Sequence, residues 1–359
     1  MVRQPSQTVT EALSNRAAVT SVDYRCLSQE DVVEAGGLDM DACLEVIAQT
    51  LTLHHLGDTL SPPKAVVHWG PEIDADEKLG RIMAMPAYVG GATRMAGLKW
   101  IPSVPENPSR GLPRGIGVIL LSDPETGLPV AFMDGTVVSA MRTGAVSGVA
   151  ARELARPGAR RLGLLGAGVQ ARTQLMALER TLPALEEIRV FDIDAAKAAR
   201  LASERGGGAT RLVVATPEEA VRGADVVVPA TMAPEPFIPA DWIEAGALVL
   251  SVSSLDVRTD VIQAADLVVA DDVAHETAHR SRLLARAEAA GVLDRDTVVP
   301  LGAIVAGEHP GRTAAEQIVV VSPVGLGIED LAWATYVFRR AEQLDVGRKQ
   351  RLWDEPVWR

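Results

Sequence analysis

Gly166-Ala167-Gly168-Val169-Gln170-Ala171 follows the apolar run Leu162-Gly163-Leu164-Leu165 and opens a helix-like segment from Arg172 to Leu178. Strand, tight glycine turn and helix together set a pyrophosphate on a helix N-terminus. The glycines let the backbone approach the anion, and the unpaired N–H groups of the first turn face it. A second apolar run, Ile188-Arg189-Val190-Phe191, ends in Asp192. That acid falls about twenty residues beyond the turn, where a carboxylate can hold both hydroxyls of an adenosine ribose and would repel a 2′-phosphate. The glycine spacing alone also fits an ordinary close-packed turn. With the strand, the helix and the acid in place, the segment predicts a dinucleotide site for NAD rather than NADP.

Further residues could supply chemistry beside such a site. Lys64 lies in Ser61-Pro62-Pro63-Lys64, Lys99 in the apolar segment Gly97-Leu98-Lys99-Trp100-Ile101, and Arg142 in Ser139-Ala140-Met141-Arg142-Thr143-Gly144-Ala145. A lone Lys or Arg is ordinarily a solvated surface charge. Lys99 and Arg142, embedded among apolar or small residues, are placed instead to face a pocket, where a guanidinium grips a carboxylate in bidentate fashion. Asp256 follows the apolar run Ala247 to Ser251. The carboxyl end of a strand is where ligands bind in open α/β sheets, and it is equally where an Asp caps the next helix, so both roles stay open. His275-Glu276-Thr277-Ala278-His279 matches H-E-x-x-H, which on a helix can bind zinc with the Glu as general base. No third ligand is evident, since His309 sits in the Gly-Pro-rich stretch Gly307 to Gly311. The other reading is a charged surface helix, and no metal is expected.

The elements that must hold these residues divide into two patterns. From Arg161 to about Asp272, apolar runs such as Leu212–Ala215, Asp225–Val228, Ala247–Ser251 and Asp266–Ala270 alternate with helical stretches. Runs of that kind suit a parallel sheet buried on both faces. From Ser61 to Asp134, short strands broken by Pro and Gly predict a mixed or antiparallel sheet: Ala65–His68, Arg81–Met85, Met95–Trp100, Gly117–Leu121 and Pro129–Met133. Tyr24–Leu27 reads as a short strand. Helices are expected from Asp39 to His55, from Thr136 to Leu154 and from Leu331 to Glu342. His54 and His55 read as exposed residues near a helix C-terminus.

A length of 359 residues suggests more than one domain. The expected division is a loosely ordered extension over 1–22, an α+β substrate-binding and dimerisation domain from 23–140 and 323–359, and a Rossmann NAD-binding domain over 141–322. The fold class is α/β, a doubly wound parallel sheet plus that second domain. The net charge of −12 disfavours nucleic acid as a partner, because phosphate binding needs clustered Lys and Arg. It leaves room for a small anionic substrate. The two cysteines, Cys26 and Cys43, have no metal-ligand spacing and read as reduced thiols. No secretory signal or membrane span is visible, so a cytoplasmic location is expected. Exposed strands in the N-terminal sheet suit a homodimer. The tail carrying Trp353 and Trp358 is left either packed on a partner or disordered.

The chain resembles the ornithine cyclodeaminase/μ-crystallin family from about Tyr24 to Leu344. The resemblance rests on Met85-Pro86, Gly97-Leu98-Lys99, Met133-Asp134, Met141 to Ala145, Gly166 to Ala171, Asp192, Asp256 and Gly325-Leu326-Gly327-Ile328-Glu329-Asp330. Arg81 to Pro86, Gly97 to Ile101, Pro105 to Ser109 and Ser122 to Thr126 carry a closer likeness to the branch that makes 2,3-diaminopropionate for siderophores and peptide antibiotics. The resemblance implies that Lys64, Lys99, Arg142 and Arg81 bind substrate. It makes Asp256 the catalytic acid/base, with Lys99 assisting. Thr143, Gly166, Gly168, Val169, Gln170, Asp192, Thr231, Ser253 and Gly325 would hold NAD. The cyclodeaminases carry a Glu where this chain has Met83 and an Arg at the Lys64 position, so a diamine such as ornithine is disfavoured. The implied reaction is NAD-dependent oxidative hydrolysis of N-(2-amino-2-carboxyethyl)-L-glutamate to 2,3-diaminopropionate, 2-oxoglutarate and NADH. The alternatives are an ornithine cyclodeaminase or imine reductase on the same fold, and a non-catalytic nucleotide-binding protein of crystallin type.

Overall fold

A computed structural model describes residues 21–70, 79–204 and 210–358. Residues 1–20 of the expected N-terminal extension lie outside the described residues. Val22, counted with that extension, stands in the first strand.

The first sheet is built from β1 (Val22–Leu27), β2 (Thr59–Leu60), β3 (Ala65–Trp69), β4 (Gly80–Val89), β5 (Met95–Ser103), β6 (Val118–Ser122) and β7 (Pro129–Asp134), closed by a strand from the far C-terminus. The second contains β8 (Arg161–Leu165), β9 (Glu187–Phe191), β10 (Arg211–Val214), β11 (Val226–Pro229), β12 (Leu248–Leu250), β13 (Leu267–Ala270), β14 (Val299–Pro300) and β15 (Val319–Ser322). The closing strand of the first sheet is β16 (Arg348–Trp353).

The first sheet runs β16-β1-β7-β6-β5-β4-β2, with β3 also on β4. Its pairs are antiparallel except β1 with β7. Residues opposite one another share a face. Lys99 lies across from Met85 and Ile119, all buried on the inner face. Trp100, Leu120 and Phe132 point the other way and are 42%, 36% and 40% exposed. The second sheet is parallel throughout, in the order β10-β9-β8-β11-β12-β15-β13-β14. The chain winds outward from β8 through β9 to β10, then restarts at β11 on the other side. That makes the β8/β11 boundary the switch point where such sheets bind ligands.

Helices α1 (Met40–His55), α2 (Thr136–Leu154), α3 (Val169–Thr181), α4 (Val273–Ala278), α5 (Leu283–Ala289) and α6 (Gly327–Leu344) frame the site. Helix α2 joins the sheets. It starts after β7 and packs against α1 and α3. A Cβ on Gly144 would lie 2.4 Å from Thr173 O, and one on Gly148 would lie 2.6 Å from Leu44 Cδ2. Glycine at both positions lets the three helices approach closely. Helix α6 lays a buried stripe including Ile328, Leu331 and Val337 against β4, β5 and α1. No helix among the described residues is long and apolar enough to cross a membrane.

Two element boundaries differ from the sequence reading. Helix α6 begins at Gly327 rather than Leu331, which puts Glu329 and Asp330 in its first turn. Residues 348–353, which carry too many charges to read as a strand, form β16 on β1, with Trp353 opposite Val22. Trp353 is therefore part of the sheet edge rather than of a loose tail, while Trp358 is 89% exposed.

Candidate active site

The carboxyl ends of β8, β11, β12, β15 and β13 lie side by side. The residues leaving them are the Gly166–Gly168 turn, Thr231, Ser253–Asp256, Val324–Gly325 and Asp271–Asp272. Positions far apart in sequence thus share one rim because parallel strands all finish on the same side.

The glycine turn has the geometry of an anion cradle. Gly166 adopts φ +102, and a Cβ there would lie 2.7 Å from Ala230 O across the switch point. Gly168 is the N-cap of α3 and has no capping side chain. A Cβ built on it meets nothing within 4 Å, so the first turn of α3 faces open space with its N–H groups lacking intrahelical partners. Asp192 braces the turn: its Oδ2 accepts from Ala167 N at 2.8 Å and its Oδ1 from Asp194 N at 2.9 Å. Ser253 Oγ and Gln170 Oε1 are buried with no hydrogen-bond partner among the described residues. An open helix terminus and orphaned polar atoms fit a bound dinucleotide. Val169, Ile193 and Met232, at the ends of β8, β9 and β11, are 63%, 96% and 71% exposed. They offer apolar surface for planar rings. Ile193 and Met232 were not singled out from sequence, although an apolar residue straight after Asp192 was a usable signal. Thr143 sits on α2 beside α3; its hydroxyl donates to Ser139 O at 2.8 Å, and its own carbonyl accepts from Gln174 Nε2 at 3.2 Å.

Lys99 and Arg142 come together in the interior, 2% and 7% exposed. The sequence reading missed their partners, the Glu329 and Asp330 carboxylates of α6. Lys99 Nζ lies 2.5 Å from Asp330 Oδ2 and donates to Ser139 Oγ at 3.2 Å. Arg142 Nε donates to Asp330 Oδ1 at 3.0 Å, and its Nη1 to Glu329 Oε2 at 2.7 Å. Burial and the neighbouring Arg142 pull the Lys99 pKa down to about 8, although Asp330 opposes them. Burial also works against the Arg142 charge, but Asp330 and Glu329 outweigh it and hold its pKa above the usual value. Burial pushes Glu329 up to about 7 against the pull of Arg142.

Asp256 is 1% exposed. Its Oδ2 accepts from Thr231 N at 3.0 Å and its Oδ1 from Thr231 Oγ1 at 2.6 Å. It is not a helix cap: the helix that follows, Thr259–Ala264, is preceded by Arg258 at the cap and receives no side-chain bond there. The carboxylate instead ties the end of β11 to the loop after β12, next to the glycine turn.

Lys64 reaches in from the other sheet, its Nζ donating to Val324 O at 2.8 Å. Asp271 Oδ1 and Oδ2 accept from Val324 N and Gly325 N at 2.8 and 2.7 Å. Gly325, with φ +71, leaves room for Arg142: a Cβ there would be 2.6 Å from Nη1. Arg81 lies on the Lys99 face of β4, further along, opposite Ser103, and is exposed. Met83 lies between them on that same face, opposite Ile101.

The H-E-x-x-H residues are drawn into separate contacts. His275 Nδ1 lies 2.9 Å from Asp272 Oδ2, Glu276 Oε1 accepts from Ser322 Oγ at 2.5 Å, and His279 contacts Ser281 beyond the end of α4. Glu276 is 1% exposed, so this segment is not the surface helix considered above. Nor are the histidines ending α1 simply exposed. His54 Nε2 lies 3.2 Å from Asp272 Oδ2, and His55 Nε2 lies 2.9 Å from Glu308 Oε2. Both fasten α1 to the nucleotide-type sheet.

Residues 24–345 match the family model of the ornithine cyclodeaminase/mu-crystallin family. The chain is 31% identical over 332 residues to N-((2S)-2-amino-2-carboxyethyl)-L-glutamate dehydrogenase of Staphylococcus aureus, covering 91% of this chain and 98% of that protein. An archaeal alanine dehydrogenase dimer with bound NAD superposes with a TM-score of 0.82 at 30% identity, covering 92% of this chain and 100% of the other. Thermococcus litoralis Delta(1)-pyrroline-2-carboxylate reductase, solved with NADH and L-proline, gives 0.81 at 29% identity, covering 90% and 99%.

Proposed function

The chain belongs to the ornithine cyclodeaminase/mu-crystallin family, and from that premise we propose that it is an NAD-dependent dehydrogenase of N-(2-amino-2-carboxyethyl)-L-glutamate, serving siderophore or peptide natural-product synthesis. The observation that supports this reading is that Lys64 and Arg142 meet the Val324–Gly325 end of β15, with Lys99 paired to the same Asp330 as Arg142, while Asp256 stands at the end of the neighbouring β12 beside the glycine turn. The likeness to the S. aureus enzyme supports the choice of substrate. Met83, where a cyclodeaminase carries a carboxylate, gives a distal ammonium no partner on the Lys99 face.

The Gly166–Gln170 turn, Asp192, Thr143, Thr231, Ser253 and Gly325 would hold NAD, which when bound would supply the hydride acceptor. Asp192 selects it over the 2′-phosphorylated form by charge repulsion. Arg142 and Lys99, with Lys64, hold the substrate carboxylates. Asp256 takes the proton of the substrate's secondary ammonium, which frees the nitrogen lone pair that forms the imine to the glutamyl Cα. It then orients the water that adds to that carbon. Lys99 donates to the new carbinolamine oxygen. Collapse of the carbinolamine breaks the C–N bond. One substrate, one NAD⁺ and one water give 2,3-diaminopropionate, 2-oxoglutarate, NADH and one proton.

The working form is a homodimer joined through the apolar outer face of the first sheet. The experiment is NADH absorbance with this substrate, compared with Asp256→Asn. The asparagine can still bond Thr231, so NAD affinity should hold while turnover falls by about 10²-fold or more. Release of ammonia from ornithine without net NADH, and no signal with the adduct, would overturn the reading.

A further inference from the structure

Lys64 and Arg282 reach the same acceptor from opposite halves of the molecule. Lys64 Nζ donates to Val324 O at 2.8 Å, and Arg282 Nη2 donates to that same oxygen at 3.2 Å. The neighbouring interior cations are paired with acids: Lys99 with Asp330, and Arg142 with Glu329 and Asp330. Here the shared partner is a neutral carbonyl. The carboxylate nearest Arg282, Glu276, stands 3.8 Å from its Nε through Oε2, while its Oε1 accepts from Ser322. Asp271 accepts from the backbone of Val324 and Gly325. Two side-chain cations thus converge on one carbonyl oxygen at the end of β15. Burial, Arg282 and Arg142 depress the Lys64 pKa to about 7, as expected of crowded cations.

We propose that Lys64 and Arg282 form an anion subsite for a second substrate carboxylate, the distal one of the glutamyl arm, and that Arg282 makes the enzyme prefer polycarboxylates to simple amino acids. The naming of that carboxylate rests on the function proposed above. The subsite adjoins the first one: Val324, whose carbonyl takes both cations, directly precedes Gly325, against which the Arg142 guanidinium packs. Arg282 lies before α5 on the nucleotide-type half and Lys64 before β3 on the other, so such a ligand would also draw the halves together.

The test is calorimetric binding of 2-oxoglutarate and of pyruvate to the NADH-loaded protein and to its Arg282→Gln and Arg282→Lys variants. The expected result is a loss of about tenfold or more in 2-oxoglutarate affinity for Arg282→Gln. Pyruvate binding should stay within about twofold, and Arg282→Lys should recover part of the loss. Equal weakening of both ligands, or no change in either, overturns the subsite. Binding needs no turnover. A protein that fails to oxidise the adduct yet shows the Arg282-dependent preference refutes only the substrate assignment. One that oxidises it with an unchanged KM in Arg282→Gln refutes only the subsite.

Discussion

Lys99 and Arg142 share a buried pocket with Glu329 and Asp330, and that arrangement fixes what each can do. Removing one member of a buried, hydrogen-bonded ion pair leaves the other uncompensated, at a cost of about 3–5 kcal/mol. The α6 acids therefore set the positions of the cations and clamp Arg142 in place. Glu276 is the opposite case. Burial raises its pKa to about 7 despite Arg282 and Ser322, and Asp271 adds to the rise; Arg286 also faces it. An acid whose folded pKa lies above its unfolded value binds more protons in the native state between the two. Its stabilising contribution is thus complete below about 4.5 and lost as pH climbs toward about 7. Glu276→Gln copies the protonated form and cannot ionise. Thermal melts from pH 5 to pH 8 should fall less steeply for this variant than for the parent; parallel curves would refute the assignment.

Helix α3 and its preceding turn show how one element can serve both stability and binding. The glycines differ in kind. Gly166 combines φ +102 with a 2.7 Å approach to Ala230 O, whereas Gly168 borders open space at φ −83. Alanine at 166 should lower both the melting temperature and NAD affinity, since strain and a backbone clash coincide. Alanine at 168 should leave the melt unchanged and still weaken NAD by roughly tenfold, about 1.4 kcal/mol, because the methyl occupies ligand space. Dye-monitored melts and NAD titration separate these outcomes. An unaltered NAD affinity in Gly168→Ala would remove the pyrophosphate from this turn.

At the scale of the whole molecule, the described residues cover the first sheet on one face only. Helix α6 packs against β4, β5 and β6, while Trp100, Leu120 and Phe132 remain exposed on the other face. Leu98, Leu120 and Phe132 form one cross-strand row, a continuous apolar band of the kind that marks a partner surface. A second copy of the chain is the expected occupant. Leu120→Lys combined with Phe132→Lys should convert dimer to monomer in light scattering after gel filtration, with the far-ultraviolet spectrum retained. A parent protein that is already monomeric at micromolar concentration would defeat this expectation.

Local pattern carried much of this architecture. The strands ending at Leu165 and Phe191 and the glycine turn between strand and helix could be read directly because these features are neighbours in the chain. Helix α2 was legible from Thr136 to Leu154 because its small residues keep helical spacing. What sequence could not supply was pairing across distance. Glu329 and Asp330 meet Arg142 across 187 and 188 residues, and Asp330 meets Lys99 across a still longer stretch, and no local periodicity encodes those contacts. The same holds for Arg282 beside Lys64, and for β16, whose polar run Arg348–Arg351 becomes a strand only when β1 offers it an edge. Backbone propensity and side-chain period are local properties; which charges end up sharing a buried space depends on how the two sheets pack around α2.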